Sequence, residues 1–383
     1  MAKIVTGIII AAVIVIGALA IFNQSGTGGE VIKIGVIEPL TGDEASYGES
    51  ETRAMQIAVD EINAAGGIGG KTVELIIEDG KCDPLSGGTA AQKLIAIDGV
   101  KIIVGGACVG ETIAAAAVTE PAKVILISPS ASSPKVSTIG DFVFRTYPSD
   151  ALAGRIAAKY SYGELKAKKA ALLTELTDYA KGLREVYREA FKEFGGTIVE
   201  DQTYTTGDTD FRTQVLKIKA AKPDVIYIVP QTNTPGLAIV KQLRENNVKA
   251  QIVTAEVLLD RQVAKENAAA LEGVIGVEPA IDWEGNPKAE AFREAHRAKF
   301  DGADPGAFAA NSYDAVYLIK EAIEATGVEA IDTIKMRDWL YGVKDWAGAV
   351  GSFTFDENGD PVMGENVRKI VDGEVTDLGP YAP

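Results

Sequence analysis

From Val31 onward the chain alternates short apolar runs with amphipathic stretches, and no other feature restricts its fold as tightly. The runs 31–37, 72–78, 101–104, 123–128, 168–173, 224–229, 250–254 and 273–277 are mostly short and Val/Ile-rich, as strands buried on both faces are. Between them lie helical patterns. Met55, Ala58, Val59 and Ile62 fall at i, i+3, i+4 and i+7 and make one apolar face, which Gly66-Gly67 brings to a stop. Further helices are expected near 87–97, 149–160, 180–194, 210–220, 234–246, 287–300, 308–325 and 333–342. Repeated strand–helix units imply an α/β fold with parallel sheets and right-handed crossovers.

A chain of 383 residues is too long for one ordinary core, so two lobes are expected. The pattern breaks at Phe144-Arg145-Thr146-Tyr147-Pro148-Ser149-Asp150 and again at Val277-Glu278-Pro279-Ala280-Ile281-Asp282. Beyond the second break come long helices and a short β region turning at Asp356-Glu357-Asn358-Gly359-Asp360. The chain therefore reads as leaving one Rossmann-like lobe, building a second, and returning. We assign 30–147 and 279–363 to the first lobe, and 148–278 and 364–383 to the second. Several crossings make a multi-strand hinge, and the cleft between the lobes is the default ligand site.

Residues 4–22, IVTGIIIAAVIVIGALAIF, carry no charge and are long enough to span a bilayer as a helix (about 20 residues are needed). The run is long for a signal-peptide core, although Ala18-Leu19-Ala20 offers a cleavage signal. An uncleaved hydrophobic anchor helix is the favoured reading over a cleaved signal. No cysteine follows the run, so a diacylglycerol anchor is excluded. Residues 23–29 form a flexible tether, and the chain beyond Gly29 is exported under either reading. Cys82 and Cys108 then sit in an oxidising compartment, as a disulfide or as two buried thiols.

With 54 acidic against 38 basic residues, the net charge of −16 disfavours nucleic acid and anionic lipid surfaces as partners. Ala65-Gly66-Gly67-Ile68-Gly69-Gly70-Lys71-Thr72 imitates a phosphate loop, but Ala65 replaces its first glycine and the segment runs from helix to strand. His296, the only histidine, stands in a charged helical stretch without metal-ligating neighbours and reads as a solvated surface side chain. No nucleophile elbow and no dinucleotide fingerprint is present. No enzyme, metal or cofactor is expected.

The loop after the first strand, Glu38 to Gly48, offers hydroxyls, acids and an aromatic ring, in the position where doubly wound sheets bind ligands. Together with AVDEINAAGGIGG, EDGKCDP, GGACVGET, LISPSASSP and FRTYPSD, its IGVIEPLTGDEASYG resembles the periplasmic branched-chain amino-acid-binding proteins, from about Val31 to the end. These are solute-binding subunits of ABC importers with the type I periplasmic-binding-protein fold. The resemblance implies an extracytoplasmic protein that captures a small amino acid by hinge closure and hands it to permease subunits.

By that resemblance the ligand contacts are Tyr47, Ser130, Ala131 and Ser132 in the first lobe, and Tyr179 and Glu256 in the second. Tyr47 would lie over the ligand, Ser132 would bind its carboxylate or amine, and Glu256 its α-ammonium. Val109 stands where the family usually has a serine, leaving the backbone N–H groups of Val109 and Gly110 to serve an anion. Gln231 and Thr232 stand where the family has an aromatic, which suits a smaller or more polar ligand than leucine. The resemblance also pairs Cys82 with Cys108. Two alternatives to the amino-acid reading are a non-amino-acid solute (an amide, urea or an aromatic acid) and a ligand-sensing receptor ectodomain.

Overall fold

The structure is a computed structural model that describes residues 31–281 and 285–381. The apolar run 4–22 and the tether lie outside the described residues. Among the described residues no helix is long and apolar enough to cross a membrane.

Two sheets carry the architecture. The first is five-stranded and parallel: β1 (Val31–Glu38), β2 (Thr72–Asp79), β3 (Ile102–Gly105), β4 (Ile125–Ser128) and β5 (Val143–Arg145), in the order 2-1-3-4-5. Helices α1 (Ala45–Ala64), α2 (Pro84–Ala96) and α3 (Val109–Ala122) are its crossovers. The chain then enters α4 (Asp150–Gly163) and a second sheet. This holds β6 (Lys169–Glu175), β7 (Thr197–Tyr204), β8 (Val225–Val229), β9 (Gln251–Ala255) and β10 (Ile275–Pro279), with crossovers α5 (Asp178–Glu193), α6 (Arg212–Ala221) and α7 (Asn233–Glu245). The order β7-β6-β8-β9-β10 repeats that of the first sheet. Each lobe therefore has a switch point where successive crossovers leave in opposite directions, β1/β3 in one and β6/β8 in the other.

After β10 the chain returns to the first lobe through α8 (Pro287–Lys299), α9 (Ala309–Thr326) and α10 (Thr333–Tyr341). Phe292, Val316, Ile319 and Leu340 bury against Ile34, Met55 and Ile62. A small antiparallel sheet follows, β11 (Trp346–Gly348), β12 (Gly351–Phe355) and β13 (Pro361–Val362). The chain then rejoins the second sheet as β14 (Glu365–Val371) and β15 (Glu374–Pro380), which extend it antiparallel beyond β10.

The expected strands form within a few residues of their predicted limits; most are apolar runs with both faces covered, whereas the edge strand β2 is mostly half-buried. Val36, Ile103, Val104, Ile127, Leu172 and Ile228 are all buried. The strand Thr197–Tyr204 was not predicted. It is an edge strand whose burial is mostly partial, so its sequence TIVEDQTY lacks the continuous apolar signature. The Gly66-Gly67 stop is present: α1 ends at Ala64, both glycines take positive φ, and the Gly67 amide caps Ile62 O.

One expectation is corrected. His296 is not a solvated surface group: it is 2% exposed, packs between Phe292 and Phe300, and meets Ala303 O through Nδ1 at 2.9 Å. The i±4 spacing places Phe292 and His296 on one buried stripe of α8, with the half-buried Phe300 directly after its end, while Glu294, Arg297 and Lys299 are exposed.

Candidate functional site

Loops at the carboxyl ends of both sheets face each other across an interlobe cleft. Tyr47, Glu51, Ala107, Cys108, Val109, Ser130, Ser132 and Phe308 line it from the first lobe, and Tyr179, Gln231, Glu256 and Val257 from the second. They surround about 360 Å³ of empty space, part of it open to solvent. Among the described residues, no Lys, Arg or His belongs to this wall.

Each element arrives for a local reason. Tyr47 sits in the first turn of α1, which lies tight on the loop after β1: a Cβ on Gly48 would come within 2.1 Å of Pro39 O. Val109 and Gly110 are the first two residues of α3. Their amides have no intrahelical carbonyl to meet, and the helix end favours an anion there. Cys108 precedes them and is disulfide-bonded to Cys82, with Cα atoms 5.1 Å apart, so this turn is tied to the loop after β2. The Glu111 carboxylate accepts from the Cys108 amide at 3.2 Å and completes the cap.

Arg145 holds up the serine loop from below. Its Nη1 donates to the carbonyls of Ala131 and Ser133, both at 3.0 Å, while Nε donates to Asp360 Oδ1 at 2.7 Å. The Ala131 amide donates to Ser128 Oγ at 3.0 Å. Ala131 is therefore fully buried beneath the cleft with both main-chain groups engaged, and it does not line the wall. Gly110 and Thr232 are likewise outside the wall, Thr232 being the residue before α7. The structure brings together Tyr47, Val109, Ser130, Ser132, Tyr179, Gln231 and Glu256.

The hydroxyl hydrogens of this wall are already committed. Ser130 Oγ lies 3.1 Å from Ala107 O, which can only accept, and 3.0 and 3.2 Å from Glu51 Oε1 and Oε2. Ser132 Oγ donates to Asp150 Oδ2 at 2.8 Å, and the Tyr179 hydroxyl to Glu256 Oε1 at 3.1 Å. The Tyr47 hydroxyl donates to Gln231 O at 3.3 Å, a bond from one lobe to the other. What these four groups still offer the cleft is lone pairs.

Glu51 and Glu256 make the wall acidic, and further buried acids stand behind it. Burial, reinforced by Asp150, pushes the Glu256 carboxyl up to about 8. Burial holds Glu38 and Glu51 well above the ordinary range, with the neighbouring acids adding to it. These two carboxyls lie close enough to repel each other when both are charged, which favours a proton held on the pair. Burial likewise pushes Glu111 up to about 8. Among the described residues no group of acids, cysteines and histidine is arranged to hold a metal ion.

Sequence reasoning missed Glu51, Ala107, Cys108, Val257 and Phe308 as wall residues. Phe308 takes a positive φ of 61° immediately before α9, a conformation costly for a bulky side chain. There its ring packs edge-on against Tyr47 at 5.6 Å and Tyr147 at 5.1 Å.

This geometry has known counterparts. A profile of the periplasmic binding proteins matches residues 31–374. The chain belongs to that family. It is 32% identical over 330 residues to the Leu/Ile/Val-binding protein homolog 3 of Brucella melitensis, covering 86% of this chain and 88% of that protein. It is 30% identical over 345 residues to the leucine-, isoleucine-, valine-, threonine- and alanine-binding protein of Pseudomonas aeruginosa, covering 90% of each. Among solved structures, the branched-chain amino acid transporter substrate-binding protein LivJ of Streptococcus pneumoniae, in complex with isoleucine, superposes with a TM-score of 0.82. It is 32% identical, and the match covers 92% of this chain and all of that one. The type I periplasmic-binding fold expected from the sequence is the fold observed.

Proposed function

We propose that this periplasmic binding protein captures a small L-amino acid, branched-chain or similar, in the interlobe cleft and delivers it to the permease of an ABC importer. The observation that carries the reading is the polarity of the wall. Glu256 presents a carboxylate with no cationic side chain beside it in the lining, and the surrounding hydroxyls are spent as donors. Such a wall accepts an ammonium group and repels a simple anion.

In this reading Glu256, Ser130 and Ser132 accept from the α-ammonium. The backbone amide of Val109, at the start of α3, receives the α-carboxylate. Tyr47, Tyr179, Val257 and Phe308 enclose the side chain, and Gln231 limits its size. Closure is favoured because the ligand bonds to both lobes, so it binds the closed form more tightly than the open one. The protein acts outside the cytoplasm, held by residues 4–22 where these are retained. It binds its ligand without changing it. The relatives named for leucine, isoleucine, valine, threonine and alanine support a small and largely apolar side chain.

The second reading, a solute without an amine, is favoured by Val109 in place of a carboxylate-binding hydroxyl. Against it, an aromatic acid would bring a further negative charge into the acidic wall. A thermal-shift panel separates the two. The amino-acid reading expects branched-chain or smaller amino acids at millimolar concentration to raise the melting temperature, and benzoate or urea to leave it unchanged. It fails when no proteinogenic amino acid raises it.

A further inference from the structure

Asp150 is the first residue of α4, in the segment that carries the chain from the first lobe into the second. It is 2% exposed and does not line the cleft. Two bonds join it to Ser132, which does. Ser132 Oγ donates to Asp150 Oδ2 at 2.8 Å, and the Asp150 amide donates to Ser132 O at 2.8 Å. A serine hydroxyl has one hydrogen and two acceptor positions. With the hydrogen held by Asp150, Ser132 has only lone pairs left for a ligand. Without Asp150 the same hydroxyl would turn and donate to a carboxylate equally well.

Resting on the amino-acid reading, we infer that Asp150 is a positioning residue that sets the polarity of the site: it fixes Ser132 as an acceptor and so makes the cleft choose an ammonium over an acid. When ionised, Asp150 is also one of the charges that Glu256 and Glu365 feel; burial pushes its carboxyl up to about 7, against the hydrogen bond from Ser132 and the nearby Arg145. Its pull on Ser132 and its contribution to the negative field therefore act in one direction. Because Asp150 opens the first helix of the second lobe, the same pair of bonds ties the serine loop to the hinge.

The test is calorimetric titration of the full chain with L-leucine and with 4-methylpentanoate, the same carbon skeleton without the amine. Asp150→Ala is expected to weaken L-leucine by about 30-fold while 4-methylpentanoate stays equal or binds more tightly, because the freed hydroxyl now donates. Ser132→Ala should cost L-leucine a similar factor. The double variant should cost no more than either single one, since both remove the same acceptor. Asp150→Asn keeps an acceptor oxygen beside Ser132 and should restore L-leucine to within about fivefold of the wild type. If Asp150→Ala does not fold, Ser132→Ala and Asp150→Asn carry the test alone. Equal losses for both ligands, additive losses in the double variant, or an Asp150→Asn as damaged as Ser132→Ala would overturn the inference. A wild-type chain that binds no amino acid overturns the functional reading itself, whereas wild-type binding with an unaffected Asp150→Ala overturns only the role of Asp150.

Discussion

The Tyr179 hydroxyl donates to Glu256 Oε1 at 3.1 Å, joining the first turn of α5 to the end of β9 at the second-lobe wall of the cleft. The bond orients the carboxylate that the cleft presents, and it favours the ionised form against the burial that opposes it. That opposition has a consequence for pH. Burial, reinforced by Asp150, pushes the Glu256 carboxyl up to about 8, and an ammonium ligand requires its charged form. Binding therefore draws a proton off Glu256. The affinity for L-leucine should rise by about one to two orders of magnitude between pH 6 and pH 8.5. Calorimetric titrations across that range measure it, and a flat profile would remove Glu256 from the ammonium site.

Stability in the absence of ligand should move the other way. Burial pushes Glu111 up to about 8 and Asp314 up to about 7, and holds Glu38 and Glu51 well above the ordinary range. A carboxyl whose folded pKa is raised adds stability below its unfolded pKa and loses it as pH climbs through the folded value. The ligand-free melting temperature should thus be higher at pH 5.5 than at pH 8.5, with most of the fall between about 6 and 8. Thermal melts in matched salt decide the sign.

Arg145 should matter for folding without touching a ligand. It is fully buried, pairs with Asp360 at 2.6 Å, and donates to two carbonyls of the serine loop. Arg145→Met strands the Asp360 carboxylate and releases that loop. A loss of about 3–5 kcal/mol in urea unfolding is expected. A loss below about 1 kcal/mol would show that the pair is dispensable.

Reduction of Cys82–Cys108 opens a loop spanned by 26 residues, worth about 3.5 kcal/mol in the chain-entropy model. It also frees the turn that carries the Val109 and Gly110 amides. The reduced protein should melt lower and bind L-leucine more weakly. Reduction that lowers the melting temperature but leaves affinity unchanged would separate the disulfide from the site.

How much of this was legible in the sequence depended on where the information lay. The β1–α1 unit was readable because its strand is a continuous apolar run and its helix keeps a clean stripe ending at two glycines. Tyr47, Tyr179 and Glu256 were expected at the cleft through the family resemblance of the loops that hold them, not through any local chemical signature, and all three line its wall. The strand Thr197–Tyr204 was missed because an edge strand carries polar residues. His296 was misread because its charged neighbours hid the Phe292 and Phe300 spacing. Phe308 gave no signal: its place depends on a positive φ that nothing in Gly306-Ala307-Phe308-Ala309 announces. Glu38, Glu51 and Glu111 were three acids among many, and only the fold reveals that they are buried within electrostatic reach of one another.

The most direct test of Glu256 as the ammonium-binding group is the side-by-side calorimetric titration of wild type and Glu256→Gln with L-leucine at pH 8.5. One molecule should bind per wild-type chain, with an affinity at least about 100-fold weaker in the variant and 4-methylpentanoate weak against both. Equal affinity of the two proteins for L-leucine would contradict that role and the amino-acid site built on it.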